Sequence, residues 1–159
     1  MKILIAEDSR VNQALVALIL KKQGHTVRVA DNGVQAVAAV EQEPFDLVLM
    51  DLHMPEMGGL EAATRIREWE ARSQDETIKA RTTVGSAGEC DRRDPGGQVA
   101  TSRIPIIAMT ASDTTNDRER CLEAGMDEYI RKPVVAQHLL ELIARFEPSE
   151  VSAWTARPS

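Results

Sequence analysis

The sequence predicts an α/β fold built on an open parallel sheet, and three observations carry that prediction. Five short strand-like runs alternate with segments of helical period. Two of those runs are almost uniformly apolar, as strands buried on both faces of a sheet are. The chain is 43% hydrophobic but only 3% aromatic, so it can fill a real core, and that core must be aliphatic.

Lys2–Ala6 is the first strand. Val11, Ala14, Leu15, Leu18 and Ile19 follow at helical spacing and predict a helix over Arg10–Gln23 with that stripe facing inward. Gly24 should stop it. Thr26–Ala30 is the second strand, and Gly33–Gln42 a second helix with Val34, Val37 and Ala38 on one side. Phe45–Met50 is the third strand, ending at Asp51 before a loop that carries Met-Pro-Glu-Met-Gly-Gly. Ile104–Met109 is the fourth. Thr114–Ala124 reads as a polar helix with Cys121 and Leu122 inward and Gly125 as its stop. Glu128–Arg131 is weaker and more polar, as an edge strand would be. Leu139, Leu142, Ile143 and Phe146 mark the last helix, and Pro148 ends it. A repeated β-α alternation of this kind requires parallel strands joined by right-handed crossovers.

One segment breaks the rhythm. Residues 71–102 hold four glycines, a proline and mixed charges, with no sustained period, where α/β connections usually run about 2–6 residues. They are expected to form a flexible insertion. Residues 148–159 read as a tail, which makes 1–147 the folded unit.

Composition narrows the function. The net charge of −6 and the lack of a basic stripe speak against direct nucleic-acid binding. No run approaches the roughly 18 apolar residues of a membrane span, and Met1-Lys2 enters a strand without a signal-peptide pattern. Cys90 and Cys121 share no metal-binding or redox spacing and suit a reducing cytoplasm. His25 and His138 read as ordinary surface or helix-face residues. Met50, Met54 and Met57 read as packing.

The chemistry-bearing residues fall at strand ends, where open parallel sheets place their sites. Glu7 and Asp8 close strand one, Asp51 closes strand three, Thr110 follows strand four, and Lys132-Pro133 follows strand five. Clustered carboxylates repel unless a cation holds them, and Mg²⁺ prefers oxygen ligands. Asp8 and Asp51 could ligate directly, with Glu7 acting through water. Lys132 and Thr110 suit the equatorial oxygens of a transferring phosphoryl group, which Asp51 could accept covalently. A cis Lys132-Pro133 bond would turn the lysine over the site. His53 is expected to contribute its backbone carbonyl rather than its ring. Each residue alone has a plainer reading: Asp8 or Ser9 as a helix cap, Asp51 as turn chemistry, Asp31-Asn32 as turn and cap. One residue per strand end, in order, favours the joint reading.

These pieces together resemble a two-component response-regulator receiver domain. They are Ile-Leu-Ile-Ala-Glu7-Asp8, then Leu-Val-Leu-Met-Asp51-Leu-His-Met-Pro55-Glu-Met-Gly-Gly59, then Ile-Pro-Ile-Ile-Ala-Met-Thr110-Ala111, and Tyr129-Ile-Arg-Lys132-Pro133. The resemblance covers roughly residues 1–70 and 103–146. The stretch Asp8-Ser-Arg-Val-Asn12-Gln is similar to receivers attached to hybrid sensor kinases.

The resemblance implies a flavodoxin-like (βα)5 doubly wound sheet of order 2-1-3-4-5. It makes Asp51 the acceptor of a phosphoryl group from phosphohistidine. Mg²⁺ would be arranged by Glu7, Asp8, Asp51 and the His53 carbonyl, with Thr110 and Lys132 on the phosphoryl oxygens. Tyr129 matches the aromatic switch that swings inward when Thr110 is drawn to the phosphate, and Pro133 is structural. The implied partner is a histidine kinase or a histidine phosphotransfer domain. A phosphorylation-dependent dimer would use the face of the fourth helix, fifth strand and fifth helix. The setting is cytoplasmic, either free or tethered through a parent sensor kinase. Two rivals stay open on sequence: a Mg²⁺-dependent phosphohydrolase with an Asp nucleophile, and a binding scaffold that is never phosphorylated.

Overall fold

The computed structural model describes residues 1–84, 103–111 and 114–147, with the backbone alone over 74–84. Its strands are β1 Lys2–Ala6, β2 Thr26–Ala30, β3 Leu47–Asp51, β4 Ile106–Thr110 and β5 Glu128–Arg131. Its helices are α1 Arg10–Lys22, α2 Gly33–Gln42, α3 Gly59–Val84, α4 Thr115–Glu123 and α5 Ala136–Ala144. All pairings are parallel and the order is β2-β1-β3-β4-β5, as expected. β5 is an edge strand, and β2 forms the other edge.

The two-residue period of the strands divides the core. Leu4, Ala6, Val48, Met50, Ile106 and Ala108 pack with α2, α3 and Cys121 of α4 on one face. Ile3, Ile5, Leu47, Leu49, Ile107 and Met109 pack with α1 and α5 on the other. All five residues of β3 and of β4 are buried, which is why these strands carry no polar alternation.

β3 and β4 both begin two residues later than the sequence suggested and run one residue further. Asp51 and Thr110 are therefore the last rungs of the ladder rather than the first loop residues. Gly24 and Gly125 stop α1 and α4 with positive φ (+83° and +90°), backbone that only glycine adopts cheaply.

Three helix faces differ from expectation. In α1 the buried residues are Val16 and Leu20, while Val11, Leu15 and Leu18 are exposed (76%, 44% and 54%). Ala14 to Leu20 is an unbroken apolar run, so period alone could not choose the inward face. In α2 the core takes Ala36, Ala39 and Val40, and Val34 points outward. In α4 Cys121 is inward as expected, but Leu122 is 59% exposed. The α5 stripe is as read: Leu139, Leu142 and Ile143 are buried and Phe146 packs beside them. The His25 side chain is also less superficial than its sequence context suggested, being only 8% exposed.

Residues 71–84, expected within a flexible insertion, are helical instead. Helix α3 continues through residues 71–84, a stretch without glycine or proline, and residues 85–102 lie outside the described residues. Where the chain returns, a polar clamp fixes it. Arg67 of α3 donates to Gly125 O (2.8 Å), Ile104 O (2.8 Å), Glu70 Oε2 (2.8 Å) and Asp127 Oδ2 (2.9 Å). Glu70 Oε1 accepts from Ile104 N at 2.7 Å, and Asp127 Oδ2 from Ile106 N at 2.9 Å. One guanidinium thus ties α3 to the entries of β4 and β5.

Replacing Arg67 removes four hydrogen bonds at once and leaves Glu70 and Asp127 without its charge, although Ile104 N, Ile106 N and Arg103 still donate there. Arg67→Ala should cost about 2–4 kcal/mol of unfolding free energy. Urea unfolding checks this: the midpoint should fall with an unchanged slope, and a shift below about 1 kcal/mol would contradict the clamp.

Candidate functional site

The carboxyl ends of β1, β3, β4 and β5 converge, and the ladder sets their relative heights. Ala6 pairs with Met50, Asp51 with Met109, and Thr110 with Arg131. Glu7 and Asp8 leave β1 beside Asp51. One carboxylate oxygen from each of Glu7, Asp8 and Asp51 lies within 4.8 Å of the others. Glu7 and Asp51 are buried, and Asp8 is exposed.

Lys132 enters this acid cluster from β5. Its Nζ is 2.8 Å from Glu7 Oε2 and 3.0 Å from Asp51 Oδ2. Burial would lower the Lys132 pKa, but the hydrogen bonds and charges of Glu7 and Asp51 outweigh it and raise the value above an ordinary lysine's. The ammonium is therefore a fixed positive charge. Its backbone is held too, with Lys132 N donating to Thr110 O at 2.7 Å, and the following Lys132-Pro133 bond, whose isomer the sequence left open, is cis.

Thr110 is buried at the end of β4, on the same sheet edge as Asp51. The imidazole of His53 faces solvent, while its backbone N donates to Asp51 Oδ1 at 3.2 Å. Its peptide thus lies against the acid, and the ring does not. Tyr129 on β5 is half-buried, with the Arg118 guanidinium 5.0 Å from its ring centroid.

The local sequence explains how these side chains are held. Ser9 N donates to Glu7 Oε1 at 3.1 Å, and Ser9 caps α1 without a side-chain hydrogen bond, so Asp8 is not spent as a cap. Gly59 packs against the Asp51 backbone; a Cβ there would sit 2.2 Å from Asp51 O. Met50, Met54 and Met57 are packing, as read.

Two contributions escaped the sequence. Asn32 caps α2 as expected, but its Nδ2 also donates to Glu56 Oε2 at 3.0 Å. Glu56 sits at φ +66°, the only non-glycine in that region among the described residues, so Asn32 braces a strained turn of the loop after Asp51. Gln13 of α1 bridges Glu7 O and Asp31 Oδ1. Both ties join residues far apart in sequence, which no local pattern reveals.

The model of the response regulator receiver domain matches residues 3–83 and 98–144. The chain belongs to that family. Receiver chemistry is thus the frame for the edge just described. Over 155 residues, 94% of its length, it is 37% identical to probable histidine kinase 1 of Oryza sativa subsp. indica. It is 35% identical, over 87% of its length, to hybrid signal transduction histidine kinase B of Dictyostelium discoideum. It spans only 16% and 6% of those two proteins. Among solved structures it is similar to the receiver domain of a Pseudomonas aeruginosa sensor histidine kinase, determined with magnesium coordinated in the active-site cleft. That match has 31% identity and a TM-score of 0.67, covering 91% of this chain and 95% of the other. A co-crystal of the Saccharomyces cerevisiae phosphotransfer protein Ypd1 with the receiver domain of its downstream regulator Ssk1 gives 27% identity and a TM-score of 0.75. There the coverage is 92% and 88%.

The donor set fits a hard divalent cation. Three carboxylates lie together, and the one ammonium beside them contacts only Glu7 and Asp51, so the cluster keeps a surplus of negative oxygen donors. Such a cluster favours an oxygen-seeking ion. Mg²⁺ should raise the melting temperature, because binding to the native state alone stabilises by RT ln(1 + [Mg²⁺]/Kd), about 1.4 kcal/mol at ten times Kd. In Asp8→Ala that rise should largely vanish, as read by differential scanning fluorimetry; an equal rise in the variant would contradict the site. Gly59→Ala should cost about 1–3 kcal/mol through the Asp51 backbone it displaces, checked by thermal unfolding.

Proposed function

We propose that this receiver takes a phosphoryl group from a phosphohistidine onto Asp51 and signals through a change of surface. The observation that carries the reading is the convergence of Glu7, Asp8, Asp51 and Lys132 on one sheet edge. Asp51 is held by its backbone and by Lys132, so its second oxygen can approach phosphorus with little reorganisation. A P–O bond to the carboxylate forms as the P–N bond of phosphohistidine breaks, and the imidazole leaves after taking a proton from solvent. Lys132 and the Thr110 hydroxyl then hold the phosphoryl oxygens.

Glu7, Asp8, Asp51 and the His53 carbonyl are the groups that would hold Mg²⁺. When bound, the ion would offset the charge of the acids and the phosphoryl oxygens. The magnesium in the cleft of the related Pseudomonas aeruginosa receiver supports this assignment.

The partner carrying the phosphohistidine is a histidine kinase or a histidine phosphotransfer domain, the latter supported by the receiver that co-crystallises with a phosphotransfer protein. The exposed apolar face of α1 (Val11, Leu15, Leu18), which starts just after Asp8, is a suitable dock for a phosphotransfer helix. The output runs through Thr110 and Tyr129, and a phosphorylation-dependent dimer would pair α4-β5-α5 faces. The receiver unit proposed is 1–147; residues 148–159, read from sequence as a tail, lie outside the described residues. The matches to segments of much longer histidine kinases support a place within a parent kinase; the setting proposed is cytoplasmic, free or tethered through that parent. Among the described residues no helix is long and apolar enough to cross one. The phosphohydrolase reading is weaker, because the second position after Asp51 holds an exposed His53 rather than an acid.

Incubation with Mg²⁺ and a small phosphodonor, followed by intact-mass measurement, tests the proposal. One base-labile phosphoryl adduct is expected, absent in Asp51→Asn. No adduct from any donor would overturn it in favour of a scaffold, and steady turnover of phosphomonoesters would favour the hydrolase.

A further inference from the structure

Tyr129 is the single tyrosine of the chain, and it is not an isolated ring on β5. Arg118, in the first turn of α4, places its guanidinium 5.0 Å from the ring centroid, inside the roughly 6 Å reach of a cation–π contact. Both side chains line an open cleft of about 440 Å³ whose walls also include Arg131, His138 and Arg145.

Cys121 is the buried residue of α4, and Leu122 is turned to solvent. The first turn of the helix is closed by Thr114, whose hydroxyl accepts from Asp117 N at 3.3 Å and whose carbonyl accepts from Arg118 N at 3.2 Å. That capped turn fixes the backbone from which Arg118 reaches across to β5.

We propose that Arg118 is a positioning residue for the aromatic switch. Its guanidinium, stacked on Tyr129, holds the ring in the cleft and weights the domain toward its unphosphorylated arrangement. The inference rests on the reading of Tyr129 as the switch given above. A contact made in one arrangement and lost in the other shifts their equilibrium by its own weight. By linkage, phosphorylation loosens the stack, and whatever removes the stack favours the phosphorylated arrangement equally. Arg118 is exposed and outside the acid cluster, so replacing it leaves Asp51 and its neighbours in place.

The sole tyrosine makes the test site-specific. The full chain is labelled with 3-fluorotyrosine, and its one ¹⁹F resonance is followed as Mg²⁺ and beryllofluoride, a phosphoryl analogue, are added. Bound beryllofluoride reports its own occupancy through its fluorine signals. In the wild type the tyrosine resonance should move on binding. In Arg118→Ala the unliganded resonance should already be displaced toward the bound position. Half-saturation should come at a concentration about two- to fivefold lower, the weight of an exposed cation–π contact. Arg118→Lys, which keeps a cation without the planar fork, should fall between. If the wild-type resonance moves but Arg118→Ala matches it in position and midpoint, Arg118 does not hold the ring and the switch reading survives. If the wild-type resonance stays fixed at full occupancy, the switch reading falls and this inference falls with it.

Discussion

The Lys132 ammonium between Glu7 and Asp51 is the interaction on which the rest of the structure depends. Two carboxylates buried at the end of a parallel sheet would repel each other and resist desolvation, and one fixed cation at 2.8 and 3.0 Å makes their burial tolerable. The surrounding structure serves that arrangement. β1 and β3 deliver the acids, β5 delivers the lysine, and Thr110 O on β4 holds the lysine backbone. Gly59 lets α3 start directly against the Asp51 carbonyl. The acids still outnumber the ammonium, so the edge is stable enough to fold and keeps a surplus negative charge that favours a cation.

Much of this edge could be read from sequence, for a physical reason. In a parallel sheet every strand ends on the same side, so residues that follow separate apolar runs become neighbours in space. Glu7, Asp8, Asp51, Thr110 and Lys132 are legible because the strand supplies their direction and the topology supplies their proximity. The order of the sheet came from the family resemblance, not from the strand pattern, which requires only that the strands be parallel.

What was illegible depends on packing choices that the sequence states ambiguously. In α1 two apolar faces compete, and the one holding Val16 and Leu20 wins because it meets α5 and the strand residues Ile3 and Ile5. The losing face, with Val11, Leu15 and Leu18, remains apolar at the surface. The Arg67 clamp was hidden differently: its partners lie 3 to 60 positions away, and no periodicity links them. The clamp also explains how a domain can carry an interruption between α3 and β4. With Glu70 fastened to Ile104, the chain on either side of the interruption is fixed to the core before the site is reached.

The site and its readout are built to different tolerances. β3 and β4, which carry Asp51 and Thr110, are buried along their whole length, and the interior around them is close-packed. α4 lies outside that centre, and among the described residues it shows one buried thiol, a capped first turn and an arginine stacked on the tyrosine of β5. Moving β3 or β4 would disrupt a core; releasing the Arg118–Tyr129 contact costs about 0.5–1 kcal/mol. Coupling between sites typically amounts to about 1–3 kcal/mol. In the proposed switch, a new contact between Thr110 and a phosphoryl oxygen would be of that size, sufficient to tip α4 and far too small to disturb the centre. The rigidity of the acid cluster and the lighter hold on α4 would then be complementary: one would keep the phosphoryl group in place, and the other would let so small a free energy become a change of surface.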